Sequence, residues 1–179
     1  CYDKNLPIKA QGDFFDAPRV TFSKQSSDWS EGELPATLKD VGYQLTYINR
    51  VVDAGMRVIS YPSSAHTDLR KISLSSHSRA FRLFDNISSS TQPEAIHLGG
   101  LEAYQSTITG VAKGAHIEVT YLYTFVMTPL SLIAVESWVL PVNFVKTRSL
   151  LTNLIWNLKV GGTELASYRE NSADKPKSD

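Results

Sequence analysis

Alternation with period two is strongest between residues 99 and 140, opened by Gly99-Gly100. Leu101, Ala103 and Gln105 alternate with Glu102, Tyr104, Ser106 and Ile108 as far as Gly110, and Lys113-Gly114 supplies a turn. His116 to Val126 is the longest run. Ile117, Val119, Tyr121, Tyr123 and Phe125 share one side of it, while His116, Glu118 and Thr120 give way to Leu122 and Val126 on the other. Such a strand begins half exposed and ends apolar on both sides, which predicts a central strand covered on both faces. Thr128-Pro129 turns the chain, and Ser131 to Leu140 is again apolar on both sides, with Glu136 its only charge. Three strands in succession predict an antiparallel meander. Pro141 ends the last of them. Asn143 then reads as a helix cap, and Phe144, Leu151, Leu154, Ile155 and Leu158 recur at helical spacing up to a stop at Gly161-Gly162.

The first half of the chain carries a weaker pattern. Residues 1–18, with Pro7, Gly12 and Pro18, read as a tether, and Phe14-Phe15 as a contact that packs on the domain. Arg19 to Ser23 has strand character, with Val20 and Phe22 on one side. Residues 24–42 read as irregular, because Ser26-Ser27-Asp28, Gly32, Pro35 and Gly42 are turn formers. Trp29 stands out there as an anchor that folds the loop onto the core. Tyr43 to Asn49 and Met56 to Tyr61, joined by Asp53-Ala54-Gly55, predict a hairpin. From the cap at Thr67 or Asp68 the spacing turns helical, with Leu69, Ile72, Ser76, Ala80, Leu83 and Phe84 on one face. Ser88 to Pro93 reads as a loop and Ala95 to Leu98 as a short strand.

Strands, a helix, a meander and a closing helix predict an α+β domain over residues 19–162: an antiparallel sheet covered by helices, an α-β-α sandwich. Residues 163–179 read as a polar C-terminal tail in which Leu165 and Tyr168 are the residues able to dock.

Composition narrows the range of functions. The 179 residues carry 18 Lys+Arg against 18 Asp+Glu, so there is no bulk positive charge to drive nucleic-acid binding. No run of apolar residues is long enough to span a bilayer. The single cysteine is Cys1, which excludes an internal disulfide and a cysteine-built zinc site. A chain that starts on cysteine is expected to be a bacterial lipoprotein with its lipid on Cys1, since acyl chains supply membrane affinity at roughly 0.8 kcal/mol per buried CH₂. The competing reading is an arbitrary start. The lipoprotein reading places the chain in the bacterial cell envelope, facing the periplasm, with the outer membrane favoured by Tyr2.

The order of elements resembles the PsbP/DcrB-like family of photosystem extrinsic proteins and envelope lipoproteins. The resemblance is carried by Trp29 after the first strand and by a hairpin ending Val58-Ile59-Ser60-Tyr61-Pro62. It continues through Gly100-Leu101-Glu102-Ala103-Tyr104, Tyr121-Leu122-Tyr123 and the closing Leu154-Ile155-Trp156-Asn157-Leu158, covering roughly residues 19–160. These are packing signatures. Lys24-Gln25-Ser26-Ser27 departs from the aromatic-Pro pair that the family often has before its Trp. The resemblance implies a non-catalytic accessory or assembly role, with an envelope protein as partner.

The chain shows no recognised catalytic motif. His66, His77, His97 and His116 form no HExxH and no i, i+4 pair, no Gly-x-Ser-x-Gly elbow occurs, and Gly99-Gly100 opens no phosphate loop. His116 and Glu118 share a strand face and so have the spacing of two metal ligands, but they read as a solvated strand end. Neither a metal nor a cofactor is expected. Glu136 in its apolar strand is expected to pair with an Arg or Lys on a helix. The strand-borne Tyr43, Tyr47, Tyr61, Tyr104, Tyr121, Tyr123 and Trp138 read as packing or as a binding surface. The expected surface for a partner or ligand comprises Trp29, Tyr104, His116, Glu118 and Thr120. The alternative to a protein-binding accessory factor is a carrier holding a small apolar ligand in a sheet–helix cavity.

Overall fold

A computed structural model describes residues 17–22, 28–63 and 66–171. Cys1, the tether up to residue 16 and residues 172–179 of the expected tail lie outside the described residues. The chain runs β1 (Val20–Phe22), β2 (Trp29–Glu31), α1 (Ala36–Asp40), β3 (Tyr43–Asn49), β4 (Ala54–Pro62) and α2 (Leu69–Ala80). It continues with β5 (Phe84–Leu98), β6 (Leu101–Ala112), β7 (Val119–Met127), β8 (Ser131–Val139), α3 (Pro141–Asn153), β9 (Leu158–Val160) and β10 (Thr163–Glu164).

Seven strands form one sheet in the order β2-β3-β4-β8-β7-β6-β5, and β1, β9 and β10 form a small second sheet. Every pairing is antiparallel. The α+β sandwich expected from the element order is the architecture observed. β4, β8 and β7 lie in the middle, where one face of each is buried and the other is buried or half-buried, so both need cover. The meander docks its last strand, β8, on β4, and α2 carries the chain from β4 to the far edge.

One face of the sheet is densely filled. Met56, Val58, Val126, Ile133 and Val135 meet Leu151 of α3, Leu154 and Ile155 of the following 3-10 turn, and Leu158 and Val160 of β9. A residue such as the fully buried Ile155 contributes about 1.5–3 kcal/mol by leaving water. Gln105 of β6 ties the sheet to the same helix, donating to Thr124 at 3.0 Å and to Thr152 at 2.9 Å. On the other face α2 packs over β5, β6 and β7, while the single turn of α1 sits on β3. A hollow on this face of the sheet is lined by residues of both helices.

Several local expectations are corrected. The 84–98 segment is one fifteen-residue strand, not a loop and a short strand. As an edge strand it needs little apolar pattern, and its register irregularities absorb Pro93 and the serines. β2 and α1 occupy part of the segment expected to be irregular. The closing helix starts at Pro141, which suits its first turn, and not at an Asn143 cap. It ends at Asn153, because Leu158 leaves it to pair with Phe22 of β1. Gly161-Gly162, both at positive φ, then form the β9–β10 turn instead of a helix stop. The two tail residues read as able to dock do so: Leu165 is buried and Tyr168 packs against the core. β7 begins at Val119, so His116 and Glu118 lie in the turn before it.

α2 forms as its cap predicts, with Asp68 accepting the Lys71 backbone N–H at 3.1 Å. Its buried stripe is Leu69, Ser73, His77 and Ala80, and the expected face through Ile72 and Ser76 is half-buried. Ser73 returns its hydroxyl to the Leu69 carbonyl at 2.8 Å. His77 is 3% exposed, neither ring nitrogen has a partner among the described residues, and its ring meets Phe81 edge-on at 4.9 Å. Burial holds its pKa below the ordinary imidazole value. The unfolded chain therefore binds the proton first, and the native state loses stability as pH falls below about 6.5. The melting temperature is expected to drop between about pH 7 and 5, and His77→Leu to flatten that acid limb. An unchanged limb in the variant would remove His77 as its cause.

Candidate functional site

The hollow lined by the two helices is a cavity of about 620 Å³. Its floor is the middle of the sheet: Ile59 and Tyr61 of β4, Phe125 of β7 and Ala134 of β8. Leu38 and Val41 come from α1 and its end, and Ser76, Arg79 and Ala80 from α2. The size falls in the range of small-molecule sites, roughly 300–1,000 Å³, and the lining is mostly apolar with a few polar groups.

Those polar groups converge on Glu136. Strand register sets Arg57 directly opposite Glu136, and the two form an ion pair through Nη2 and Oε1. Tyr43 donates its hydroxyl to the other carboxylate oxygen, Oε2, at 3.0 Å. The expected partner for Glu136 on a helix is thus corrected to an arginine on the neighbouring strand, a residue that reaches the carboxylate simply by the alternation of β4 and β8. The Arg57 guanidinium lies over two aromatic rings, 5.2 Å from the centroid of Trp138 and 5.3 Å from that of Tyr43. Trp138 reaches this position because its cross-strand partner is Gly55, where a Cβ would fall inside the indole.

Burial sets the charge states around this group. It pushes the Tyr43 hydroxyl well above its ordinary range, and the nearby Glu136 carboxylate adds to the shift. Burial likewise raises Tyr121 and Tyr123, again helped by Glu136. Tyr61 is pushed up to about 12 by burial, with Arg79 working in the opposite direction. For Arg57 burial opposes the charge, but Glu136 and Tyr43 outweigh it and hold the guanidinium firmly protonated. The tyrosines are hydrogen-bonding groups at neutral pH, not bases.

The residues expected to form a surface are not brought together. Trp29 is buried in the main core at the β2 edge, which fits its reading as an anchor. Tyr104 packs half-buried on the α2 side. Thr120 is buried on the opposite face, where its hydroxyl meets that of Thr109 at 2.8 Å. His116 and Glu118 are exposed in the β6–β7 turn, and Glu118 accepts the Ser88 hydroxyl. Among the described residues no group of three or more His, Cys, Asp or Glu is placed to hold a metal ion. Of the strand-borne aromatics, Tyr43, Tyr61 and Tyr123 line the cavity. Arg57 was legible only as the one charge in an otherwise apolar strand, matching Glu136 in another.

No protein-family model matches the chain, and no curated protein sequence matches it. Solved structures with a similar fold include the cyanobacterial PsbP (CyanoP) of Synechocystis sp. PCC 6803. At 12% identity, that likeness covers 80% of this chain and 92% of CyanoP, with a TM-score of 0.53. LpqN of Mycobacterium tuberculosis, described as involved in cell envelope biogenesis, is similar at 14% identity. Here 80% of this chain and 84% of LpqN are covered, with a TM-score of 0.54. The likeness is one of fold, and it agrees with the PsbP-like resemblance at that level.

Removing one member of the buried pair strands the other in a low-dielectric site. Arg57→Met is expected to destabilise the protein by about 3 kcal/mol, the lower end for a broken buried pair, because both side chains keep some contact with solvent. Arg57→Met combined with Glu136→Leu should recover most of that loss in urea denaturation. A double variant no better than the single one would show that the pair contributes more than its burial costs.

Proposed function

We propose that this chain is a non-catalytic binding protein of the bacterial cell envelope that holds a small, largely apolar ligand between its sheet and its helices. The observation that carries this reading is the cavity of about 620 Å³ over β4, β7 and β8. The opposite face buries a continuous hydrophobic cluster beneath α3 and β9. The protonated tyrosines and the Arg57–Glu136 pair provide orientation without a nucleophile or a base at work. The envelope setting is suggested by the family resemblance and by LpqN, which has a similar fold and is described as involved in cell envelope biogenesis.

N-phenyl-1-naphthylamine, a neutral apolar fluorophore, is expected to bind saturably with a blue-shifted emission. Ala134→Trp, which places an indole in the cavity, should weaken binding by at least about tenfold, a loss of 1.4 kcal/mol, while circular dichroism stays native. A wild-type protein that fails to bind, or a tryptophan variant that binds equally, would overturn the carrier reading.

A second reading, a protein-binding accessory factor, is favoured by α3. Its Val142 and Val145 are 84% and 91% exposed, and Leu150 is also exposed. Large aliphatic side chains so exposed on a helix suit an interface. In crosslinking on intact envelopes, a product formed by the wild-type protein should be lost in Val142→Asp/Val145→Asp. A product that persists unchanged would place the partner elsewhere.

A further inference from the structure

Arg57 lines the cavity with donors to spare. Its guanidinium carries five N–H donors, and its hydrogen bond among the described residues runs from Nη2 to Oε1 of Glu136. Its Nε is buried without an acceptor among the described residues. Yet the side chain is 25% exposed and belongs to the cavity lining. The polar groups around it are engaged. Both carboxylate oxygens of Glu136 accept a bond, Oε1 from Arg57 and Oε2 from the Tyr43 hydroxyl. On the α2 wall Arg79 donates from Nη2 to the Ser76 hydroxyl at 3.4 Å. At Arg57 the lining is therefore short of acceptors and not of charge, because the guanidinium is matched by the carboxylate opposite it. A wholly hydrocarbon ligand would seal the spare N–H groups in an apolar site, which costs free energy. An anion would bring a second negative charge beside Glu136, a repulsion that a low-dielectric site screens poorly. A cation would compete with Arg57 for a carboxylate already bonded on both oxygens. A neutral oxygen acceptor on an apolar body satisfies the donors without disturbing the pair.

We propose that the ligand is a neutral molecule with an apolar body and one carbonyl oxygen, of the ketone or ester type, and that Arg57 donates to that oxygen from an Nη N–H while the body lies against Ile59, Phe125 and Ala134. The proposal rests on the reading of the cavity as a ligand site. A hydrogen bond from a charged donor is stronger than one between neutral groups, and a single such donor fixes which end of the ligand meets β4. Glu136 and the rings of Tyr43 and Trp138 hold the guanidinium in place before a ligand arrives, so little side-chain freedom is lost on binding. Arg57 is thus the specificity-determining residue, and Glu136 positions it.

The test is displacement of N-phenyl-1-naphthylamine from the purified protein by 2-acetylnaphthalene and by 2-isopropenylnaphthalene, in which a methylene group replaces the carbonyl oxygen. Arg57→Met combined with Glu136→Leu removes the pair together. From wild type to this double variant the ketone-over-alkene preference should fall at least about tenfold, the loss expected for one hydrogen bond from a charged donor. On the wild-type protein 2-naphthoate and 2-naphthylmethylammonium should each compete at least about tenfold more weakly than the ketone. A second readout needs no variant: the infrared stretch of the bound ketone, carrying ¹³C at its carbonyl, should lie below its position in hexane. An unchanged preference in a double variant with native circular dichroism, or a stretch at the hexane position, overturns the role of Arg57 and leaves the carrier reading standing. Naphthoate or the ammonium competing as well as the ketone overturns the neutral acceptor. Failure of N-phenyl-1-naphthylamine and of all four competitors to bind overturns the carrier reading together with this inference.

Discussion

Arg57 and Glu136 face each other across β4 and β8, and that half of the sheet is arranged to make the pair tolerable. Withdrawing two ions from water costs several kcal/mol each even after relaxation. Here the carboxylate is met on both oxygens, by Arg57 and by the Tyr43 hydroxyl, while the guanidinium lies over the faces of Trp138 and Tyr43. Each such stacking adds on the order of 0.5–2 kcal/mol. Gly55 is part of the same arrangement, since any side chain there would expel Trp138. The pair also fixes the β4–β8 register. A slip of one residue would send Arg57 and the rest of its strand face into the packed core beneath α3.

The two faces of the sheet follow different rules. Beneath α3 the side chains are mostly aliphatic and bury one continuous cluster. Under α1 and α2 they are tyrosines and a charged pair, and both helices line a hollow. Large aromatic side chains bring both area and a hydroxyl, so they can wall a cavity without leaving polar atoms stranded. Helix α2 is fixed at its start by Leu69 on Ile59, Tyr61 and Phe125, and at its end by Ala80 near Phe84 and Ile108. Its middle borders the hollow.

The pattern of the chain made the large elements legible and the junctions obscure. Strands apolar on both faces, as in β7 and β8, announced a covered sheet, and Asp68 marked the start of α2. β5 was hidden because an edge strand can be polar throughout, and Ser88 to Pro93 has the composition of a loop. The helix ending at Asn153 was hidden because Leu154, Ile155 and Leu158 keep helical spacing while the backbone tightens and then extends. The site was half legible. Glu136 was conspicuous as a lone charge between apolar neighbours. Its partner on β4 was not, because the join of β4 to β8 is non-consecutive and no local spacing encodes it. The cavity itself is lined by residues of both helices and of the sheet, which only the third dimension brings together.

The outermost strands bear on how the protein behaves in a crowd. β5 is fifteen residues long and ends the sheet. A flat edge of that length is a template on which a second chain can lay down a strand. Three register irregularities twist this one, Pro93 removes a donor from it, and Asp85, Glu94 and His97 line it with exposed polar groups. At the opposite edge β2 presents only three residues. Each of these features disfavours the addition of a further strand, which matters for a strand-rich protein at high local concentration.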